Sequence, residues 1–305
     1  MTLTELKYIV AVANERHFGR AADKCFVSQP TLSVGIRKLE DELGVALFER
    51  DKQEVRLTAV GERIVAQAAR VLEEAGLIKK IAESGRDPLA EPLKVGAIYT
   101  VAPYLYPRLI PALQRTTPQL HLLLEENFTS RLTERLRQGE VDVIIIALPF
   151  IEPGVDIQPL YHEPFTVAVP HDHPWHSHTT VQPDELADET TLLLGTGHCF
   201  RDQVLQACPE LNRPSSQPGE MQKTLEGSSL ETIRHMVASG TGVTVLPCTA
   251  AGANPLLRYL PFAEPVPQRT IALAWRKSFP RPEAVAALRQ AILASDIPCV
   301  SLINS

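Results

Sequence analysis

Apolar residues recur with helical spacing along the first part of the chain. A first helix, capped by Thr4, is predicted from apolar positions three and four residues apart, namely Leu6, Ile9, Val10 and Ala13. A short second helix is predicted over residues 20–25, and a third begins at Ser28, a favourable N-cap, with Pro30 in its first turn. The third helix ends at Gly44, and its apolar face comprises Leu32, Ile36, Leu39 and Leu43. Together these elements predict a helix-turn-helix.

The opposite face of the third helix carries short polar groups and then cations. Short hydrogen-bonding side chains near its N-terminus suit base edges in a major groove, and the basic residues further along suit phosphates. The alternative is an ordinary solvated helix face. Two short strands, 48–50 and 54–58, predict a wing beside the helix. The candidate DNA-contacting residues are therefore Ser28, Gln29, Pro30, Thr31, Ser33, Arg37, Lys38, Arg50 and Lys52.

A long helix is predicted over residues 59–84. Its apolar positions alternate in steps of four and three residues: Ile64, Ala68, Val71, Ala75, Ile78 and Ala82. This heptad spacing is typical of helices that pair in a coiled coil, so we expect the helix to associate with a second copy. Packing against its own domain is the alternative.

Strands and helices alternate from residue 93 onward. Strands are predicted over 93–98, 120–125, 141–148, 166–169, 191–194, 243–246 and 269–275, and helices over 103–115, 131–138, 228–237 and 282–293. A capping box of Ser228 and Glu231 is expected to open the third of these helices. Alternation of this kind implies parallel α/β sheets, and the length of the segment predicts two lobes.

Composition and charge refine this outline. The chain of 305 residues carries a net charge of −6, yet residues 1–87 hold 14 basic and 14 acidic residues, so the whole excess of acid lies after them. A neutral N-terminal domain with a basic face is compatible with DNA binding. The N-terminus lacks the pattern of a signal peptide, and no apolar run approaches the roughly 18 residues of a membrane span. Five cysteines, an odd number, favour free thiols in a reducing compartment, so we expect a cytoplasmic protein.

The candidate chemistry lies between Gly195 and Cys208. Cys199 and Cys208 stand nine positions apart at either end of a helix predicted over 200–207, and Pro209, Pro214 and Pro218 follow. Cationic neighbours and a helix N-terminus favour the thiolate form of Cys199, and Cys208 could then trap an oxidised Cys199. Alternatively, both cysteines are small buried hydrophobic residues, as most free cysteines are.

The N-terminal motifs resemble a known family. The run Arg20-Ala21-Ala22, Val27-Ser28-Gln29-Pro30-Thr31-Leu32-Ser33, Ile36-Arg37-Lys38-Leu39-Glu40 and Leu47-Phe48-Glu49-Arg50 is similar to the DNA-binding domain of LysR-type transcriptional regulators. The resemblance implies an α/β protein with a winged helix-turn-helix (1–58) and a linker dimerisation helix (59–87). A periplasmic-binding-protein-like regulatory domain follows, its first lobe formed by 88–165 and 263–305 and its second by 166–262. It also implies three kinds of partner: double-stranded DNA, RNA polymerase, and further copies of the chain, which assemble as a dimer of dimers.

The segment around Cys199 resembles the peroxide-sensing members of that family. The residues that carry the resemblance are Gly197-His198-Cys199, Arg201-Asp202-Gln203, Cys208, Ser229-Leu230-Glu231-Thr232 and Asp172-His173-Pro174-Trp175. The resemblance implies a peroxidatic Cys199, a resolving Cys208, no cofactor, no metal and no enzymatic turnover. It also implies that a cytosolic reductant, glutaredoxin or thioredoxin, resets the thiols. The implied pocket for hydrogen peroxide comprises Thr100, Thr129, Gly197, His198, Arg201 and Asp202, with His198 and Arg201 supplying donors or positive charge.

The spacing of the two cysteines predicts a conformational switch. Nine residues of intact helix span roughly 13.5 Å, whereas a disulfide requires Cα atoms within about 7 Å. The segment must therefore unwind before Cys199 and Cys208 can join, and such an order–disorder change can reach the dimer and the DNA.

Two other functions are left open by the sequence. A LysR-type regulator could instead bind a small organic ligand between its lobes, with incidental cysteines. The C-terminal part could also be a peroxidase, which would need an electron donor for each cycle. A metal role for the cluster of His171, His173, His176 and His178 is less favoured than an exposed loop. Cys25 is interpreted as packing, and Cys248 and Cys299 as bystanders.

Overall fold

The chain divides into two units, residues 1–86 and 87–305. The computed structural model describes residues 1–50, 55–84, 88–212 and 224–303. Lys52, Pro214 and Pro218 lie outside these ranges, as do residues 85–87 of the expected linker. Among the described residues, none of the helices combines the length and apolar character needed to cross a membrane.

The first unit contains the predicted helix-turn-helix and wing. Its elements are α1 (Leu3–Glu15), α2 (Phe18–Lys24), α3 (Gln29–Leu43), β1 (Phe48–Arg50), β2 (Val55–Leu57) and α4 (Ala59–Ser84). Strands β1 and β2 form an antiparallel pair. Ser28 caps α3 by accepting a hydrogen bond from the backbone N–H of Thr31, and Gly44 ends the helix in a left-handed conformation, both as predicted.

Two helix caps lie one or two residues away from their predicted positions. Thr2, not Thr4, caps α1: its hydroxyl accepts from the N–H of Glu5, whose carboxylate accepts from the N–H of Thr2. Ser229, not Ser228, caps the later helix that spans Leu230–Ala238. Two hydroxyls lie close together at each helix start, and the one whose backbone is extended at the N-cap position reaches the free N–H groups.

The helix α4 packs partly against its own unit. Ala68 is buried and Ile64 contacts the core formed with α1 and α3, which is the alternative that the sequence left open. Further along, Ile78 remains 71% exposed. The first part of the apolar stripe of α4, with Ile64 and Ala68, therefore packs in the helix-turn-helix core, whereas Ile78 is exposed. On α3, Leu43 is likewise 38% exposed and does not join the core, contrary to its predicted place.

The second unit is a two-lobed α/β structure, as predicted. Its strands are β3 (Leu93–Ile98), β4 (Leu122–Asn127), β5 (Val143–Ala147), β6 (Val155–Pro170), β7 (Thr191–Leu194), β8 (Thr224–Gly227), β9 (Val243–Pro247), β10 (Leu257–Pro261), β11 (Gln268–Arg276) and β12 (Ser301–Leu302). Its α-helices are α5 (Ala102–Thr116), α6 (Thr129–Arg137), α7 (Cys199–Ala207), α8 (Leu230–Ala238) and α9 (Pro282–Leu293). Each lobe has its own apolar core.

Strand β6 belongs to both lobes. Its first part, residues 155–164, pairs with β11 in the first lobe, and residues 165–168 pair with β9 in the second. The lobes therefore meet where Pro164 gives way to Phe165. The sheets are mixed rather than parallel, because β11, β9, β10 and β12 all run antiparallel to β6. The expectation of parallel sheets was right only for the strands on either side of β3 and β7.

The central position of β5 yields a stability prediction. Ile145 on β5 is fully buried, whereas Leu123 on β4 of the same sheet is 55% exposed. We expect Ile145→Ala to lower the free energy of unfolding by about 2–5 kcal/mol, and the control Leu123→Ala by about 0.5 kcal/mol or less. Urea unfolding followed by tryptophan fluorescence measures this unit alone, since Trp175 and Trp275 are the only tryptophans of the chain. Equal losses in the two variants would contradict the assigned core.

Candidate functional site

A small cavity lies between the lobes where three strands end. It offers about 10 Å³ to the centre of a water-sized molecule, close to the about 10–15 Å³ that one water needs. It is formed after β3, between β4 and α6, and between β7 and α7, which is the carboxyl edge where α/β sheets bind ligands. Its lining residues are Ile98, Tyr99, Thr100, Asn127, Phe128, Thr129, Gly197, His198 and Cys199. Cys199 and four of the six predicted pocket residues thus come together.

Cys199 is the first residue of α7 and faces the other lobe. Its side chain is half-buried and packs against the core of the first lobe, although α7 belongs to the second. Its thiol is free. The aromatic rings of Tyr99 and Phe128 contact the imidazole of His198 edge-on, with ring centroids 5.9 and 4.8 Å away. The cavity beside Cys199 thus combines two aromatic rings with an imidazole and with the hydroxyls of two threonines.

The hydroxyl of Thr129 is a polar group without a protein partner. Its oxygen is buried and makes no hydrogen bond to the described residues. Buried polar atoms are almost always satisfied, so an orphaned hydroxyl in a cavity of this size indicates a small polar guest. Thr129 begins α6, so the helix start holds its side chain at the cavity wall.

The hydroxyl of Thr100 is held by an arginine that the sequence did not indicate. Arg269 Nη1 donates to Thr100 Oγ1 at 2.8 Å, and Nη2 donates to the carbonyl of the same residue at 2.9 Å. Because Thr100 Oγ1 accepts this bond, its own hydrogen remains available to donate elsewhere. Thr100 is therefore oriented as a donor by a fixed positive charge.

Arg269 is itself fixed by a buried ion pair. Its Nε donates to Glu163 Oε2 at 2.7 Å, and both side chains are fully buried. The guanidinium also lies 4.9 Å from the centre of the Phe200 ring, the residue next to Cys199. Glu163 and Arg269 stand opposite each other in the β6–β11 register. In the sequence, each of these two residues is only a charge next to an apolar strand. The register of β6 against β11 is needed to show that the two charges pair.

His198 is neutral at physiological pH. Burial lowers the pKa of its imidazole, and a hydrogen bond with the backbone of Ser228 offsets only part of this effect. Of the two roles expected for His198, the structure therefore favours a hydrogen-bonding group over a positive charge. Arg269 is a buried cation that contacts Thr100, a residue of the cavity wall.

Cys208 lies at the far end of the same helix. It caps the C-terminus of α7, is completely buried in the core of the second lobe, and has a free thiol. Burial raises its pKa to about 12, so the thiol stays protonated. The helix between Cys199 and Cys208 is intact, and its axial rise over nine residues is roughly 13.5 Å. The two sulfurs therefore cannot join without a local rearrangement.

The outer face of α3 is a second candidate site. Gln29, Pro30, Thr31 and Arg37 are exposed on it, and Ser33 is half-buried. Two other candidates have partners within the unit: the Ser28 hydroxyl caps the helix, and Lys38 Nζ lies 3.1 Å from Glu5 Oε1. The strand of Arg50 is described but its side chain is not, and Lys52 falls outside the described ranges. An apolar side chain that the sequence did not single out, Phe26, is 94% exposed in the turn before α3.

Comparison with known protein families covers most of the chain. The family described as "Bacterial regulatory helix-turn-helix protein, lysR family" matches residues 3–62, and the family "LysR substrate binding domain" matches residues 86–296. The chain belongs to the LysR family.

Similar LysR-family proteins carry the name OxyR. The "DNA-binding transcriptional dual regulator OxyR" of Escherichia coli K12 is 41% identical over 96% of this chain and 95% of its own length. A full-length OxyR variant from Pseudomonas aeruginosa is 55% identical, covers 100% of this chain and 99% of its own, and superposes with a TM-score of 0.76. A hydrogen-peroxide-bound OxyR variant from Corynebacterium glutamicum is 33% identical over 96% of this chain and 92% of its own, with a TM-score of 0.63.

Two predicted pocket residues lie outside the cavity of this LysR-family protein. Arg201 Nη1 donates to the carbonyl of Leu194 at 3.2 Å and pairs with the carboxylate of Glu226. Arg201 follows Cys199 by two positions, about 200° around the helix, so the two side chains face different ways. Asp202 is exposed and does not line the cavity. The cationic neighbour expected beside Cys199 from the sequence is thus engaged elsewhere.

The remaining cysteines and histidines also depart in part from expectation. Cys25 packs against the helix-turn-helix core, as interpreted, and burial raises its pKa. Cys248 and Cys299 are not bystanders with free thiols: they form a disulfide across 51 residues of sequence. In the histidine cluster, His173 lies 3.5 Å from Glu189, and the described residues contain no group of three or more potential metal ligands.

The environment of His198 yields a titration prediction. Because burial opposes the charged imidazole, we expect its titration midpoint to lie below the usual value of about 6.5. The unfolded chain then binds the proton more readily, so this group lowers stability as the pH falls from that value. Nuclear magnetic resonance of protein with isotope-labelled histidine measures the midpoint, and His198→Asn identifies the signal. A midpoint at or above 6.5 would refute the assignment.

Proposed function

We propose that this protein is a hydrogen-peroxide-sensing, DNA-binding transcriptional regulator switched by a reversible Cys199–Cys208 disulfide. The observation that carries the proposal is the buried, unpartnered hydroxyl of Thr129 in a cavity that Cys199 also lines. The cavity suits a guest of a few atoms and is too small for an organic effector. Similarity to proteins named OxyR, one of them with hydrogen peroxide bound, supports the same conclusion.

The first step is attack of the Cys199 thiolate on one oxygen of hydrogen peroxide. The S–O bond forms as the O–O bond breaks, Cys199 becomes a sulfenic acid, and the leaving hydroxide takes a proton to become water. Cys199 stands at the N-terminus of α7, the positive end of the helix dipole. Thr129 and Thr100 hold the peroxide and donate to its oxygens, with Arg269 orienting the Thr100 hydroxyl.

The second step joins Cys208 to the oxidised Cys199. The Cys208 thiol displaces the sulfenic oxygen as water, and this leaves a disulfide. Because α7 keeps the two residues apart, the step requires α7 to unwind and Cys208 to leave the core of the second lobe. Unwinding also breaks the bond from Gln203 Nε2 to the carbonyl of Leu148, 3.0 Å away in the other lobe. The oxidised helix thus alters a contact between the lobes.

The wider setting follows from this role. The protein works in the cytoplasm as an oligomer, binds double-stranded DNA through α3 and the wing, and acts on RNA polymerase. Glutaredoxin or thioredoxin reduces the disulfide and returns the regulator to its starting state. Each oxidation is one event rather than a catalytic cycle, so the protein is not a peroxidase.

A second candidate function has an observation in its favour. An open groove of about 730 Å³ lies between the lobes, with Phe165 and Gln203 on one side and Phe150 and Ile157 on the other. Its size and apolar walls suit a small organic ligand. A LysR-family regulator that responds to such a ligand remains the alternative, and binding would then be independent of Cys199.

Substitution of Thr129 separates these candidates. We expect Thr129→Val to slow oxidation of Cys199 by hydrogen peroxide by about 100-fold, because it removes a positioned proton donor. Thr129→Ser keeps the hydroxyl and should retain most of the rate. Stopped-flow fluorescence gives the rate, and mass spectrometry after one equivalent of peroxide detects the Cys199–Cys208 link, which Cys199→Ser must abolish. If the wild-type protein formed no such link, the peroxide-sensing proposal would be refuted and the organic-ligand function would be favoured.

The exposed cation Arg37 provides a test of the DNA surface. We expect Arg37→Ala to weaken binding to a promoter fragment and to reduce the slope of log affinity against log salt by about 1, since one phosphate contact is lost. Arg70→Ala, at an exposed cation on α4, should leave both unchanged. Fluorescence anisotropy across a salt series measures the slope.

A footprint tests whether oxidation of the thiols changes DNA binding. We expect reduced and oxidised protein to give different footprints on the same fragment, and identical footprints would show that the thiols do not affect how the protein binds DNA.

A further inference from the structure

A disulfide between Cys248 and Cys299 joins the C-terminal segment to the second lobe. Cys248 follows β9 directly, and Cys299 lies just before β12, the short C-terminal strand. Strand β12 pairs with β6 in the first lobe, where Ser301 stands opposite His162. The bond between Cys248 and Cys299 therefore ties a C-terminal segment that is seated on the first lobe to a turn of the second lobe.

Both cysteines are within reach of soluble thiols. Cys299 is exposed and Cys248 is half-buried. Disulfides in cytosolic proteins are seldom permanent, because glutathione and thioredoxin reduce those that they can reach. The reduced state also has a place ready for it: Cys248 Sγ lies 3.3 Å from the carbonyl oxygen of Cys299, which can accept from a Cys248 thiol. After reduction the two sulfurs must move apart to non-bonded contact, and that carbonyl gives the Cys248 thiol an acceptor.

A continuous chain of hydrogen bonds connects this disulfide to the cavity of Cys199. Thr249, the neighbour of Cys248, donates from its hydroxyl to Glu163 Oε1. The other oxygen of Glu163 accepts from Arg269, which in turn donates to Thr100. Glu163 also follows His162, the residue that pairs with the C-terminal strand. Both ends of the disulfide are thus linked to the surroundings of Glu163: Cys248 through its neighbour Thr249, and Cys299 through the strand that pairs with His162.

We propose that Cys248 and Cys299 form a second reversible thiol–disulfide pair, coupled to the Cys199 cavity through Thr249, Glu163, Arg269 and Thr100. The coupling to a sensing pocket and the cytosolic setting rest on the proposed function, whereas the bond between Cys248 and Cys299 does not. Glutathione disulfide is the oxidant: one protein thiolate attacks it and releases one glutathione. The second protein thiolate then attacks the mixed disulfide and releases the other. The two protein thiols lose two electrons and two protons in total, and the products are the protein disulfide and two reduced glutathione molecules.

The first experiment tests whether the pair is reversible. The full-length Cys199→Ser/Cys208→Ser variant isolates it and is equilibrated in glutathione buffers of increasing oxidation, alkylated, digested and analysed by mass spectrometry. We expect a Cys248–Cys299 linked peptide that grows with oxidised glutathione, disappears on reduction of the folded protein, and is absent from a further Cys299→Ser variant. The proposal would be overturned if Cys248 and Cys299 were both alkylated, and therefore both reduced, in every buffer. It would also be overturned if reductant left the link intact in the folded protein.

The second experiment tests the coupling from the far end of the chain of bonds. In the same background, Thr100→Val removes the hydroxyl that accepts from Arg269 Nη1 but keeps the carbonyl that accepts from Nη2, and Thr100→Ser is the matched control. We expect Thr100→Val to change the equilibrium constant for oxidation of the pair by glutathione at least about threefold, a change typical of residues in one network. Thr249→Val should also change this equilibrium constant. In the double variant, the fold-change should differ from the product of the two single fold-changes.

The outcomes of the two proposals remain distinct. Neither experiment requires Cys199 to react with peroxide, because that residue is serine throughout. If Thr100→Val leaves the equilibrium constant unchanged, or if the effects of Thr100→Val and Thr249→Val multiply independently, the coupling is refuted. If instead the pair behaves as expected while wild-type Cys199 ignores peroxide, the proposed function fails and the second redox pair stands.

Discussion

The buried ion pair between Glu163 and Arg269 is the constraint around which the second unit is arranged. It lies at the point where β6 leaves the first lobe for the second, and one of its members reaches Thr100 at the cavity. Removal of one partner of such a pair costs about 3–5 kcal/mol, although the intact pair adds little stability over apolar residues. The pair serves to position groups: the Glu163 carboxylate holds the Arg269 guanidinium in place, and the guanidinium orients the Thr100 hydroxyl.

In the proposed function, helix α7 has two states, folded in the thiol form and unwound in the disulfide form. Its first residue, Cys199, packs against the first lobe, while Phe200, Val204 and Cys208 are buried in the core of the second. Oxidation can draw the two cysteines together only by giving up this burial and the Gln203 contact. The folded helix thus opposes the disulfide, and the energy of the S–S bond must exceed the packing that is lost.

Position on a helix decided which predicted site residues reach the cavity. Cys199, Gly197 and His198 lie in the turn that opens α7 and line it, whereas Arg201 has rotated away to Glu226. Sequence neighbours of a reactive residue are therefore poor guides to its charge environment once a helix begins. The cation that reaches the cavity instead, Arg269, comes from a strand 70 residues later, and only the register of β11 against β6 places it there.

The sequence by itself determined the helix-turn-helix, the alternation of strands and helices, and the cysteines of α7, because these depend on local spacing, capping and turn residues. The tertiary structure decided what depends on contacts between distant parts of the chain. It set the antiparallel course of β6 and β11, the orphaned hydroxyl of Thr129 and the union of Cys248 with Cys299. Local patterns fix the backbone conformation of a segment, but burial and pairing arise only when segments far apart in sequence share one core.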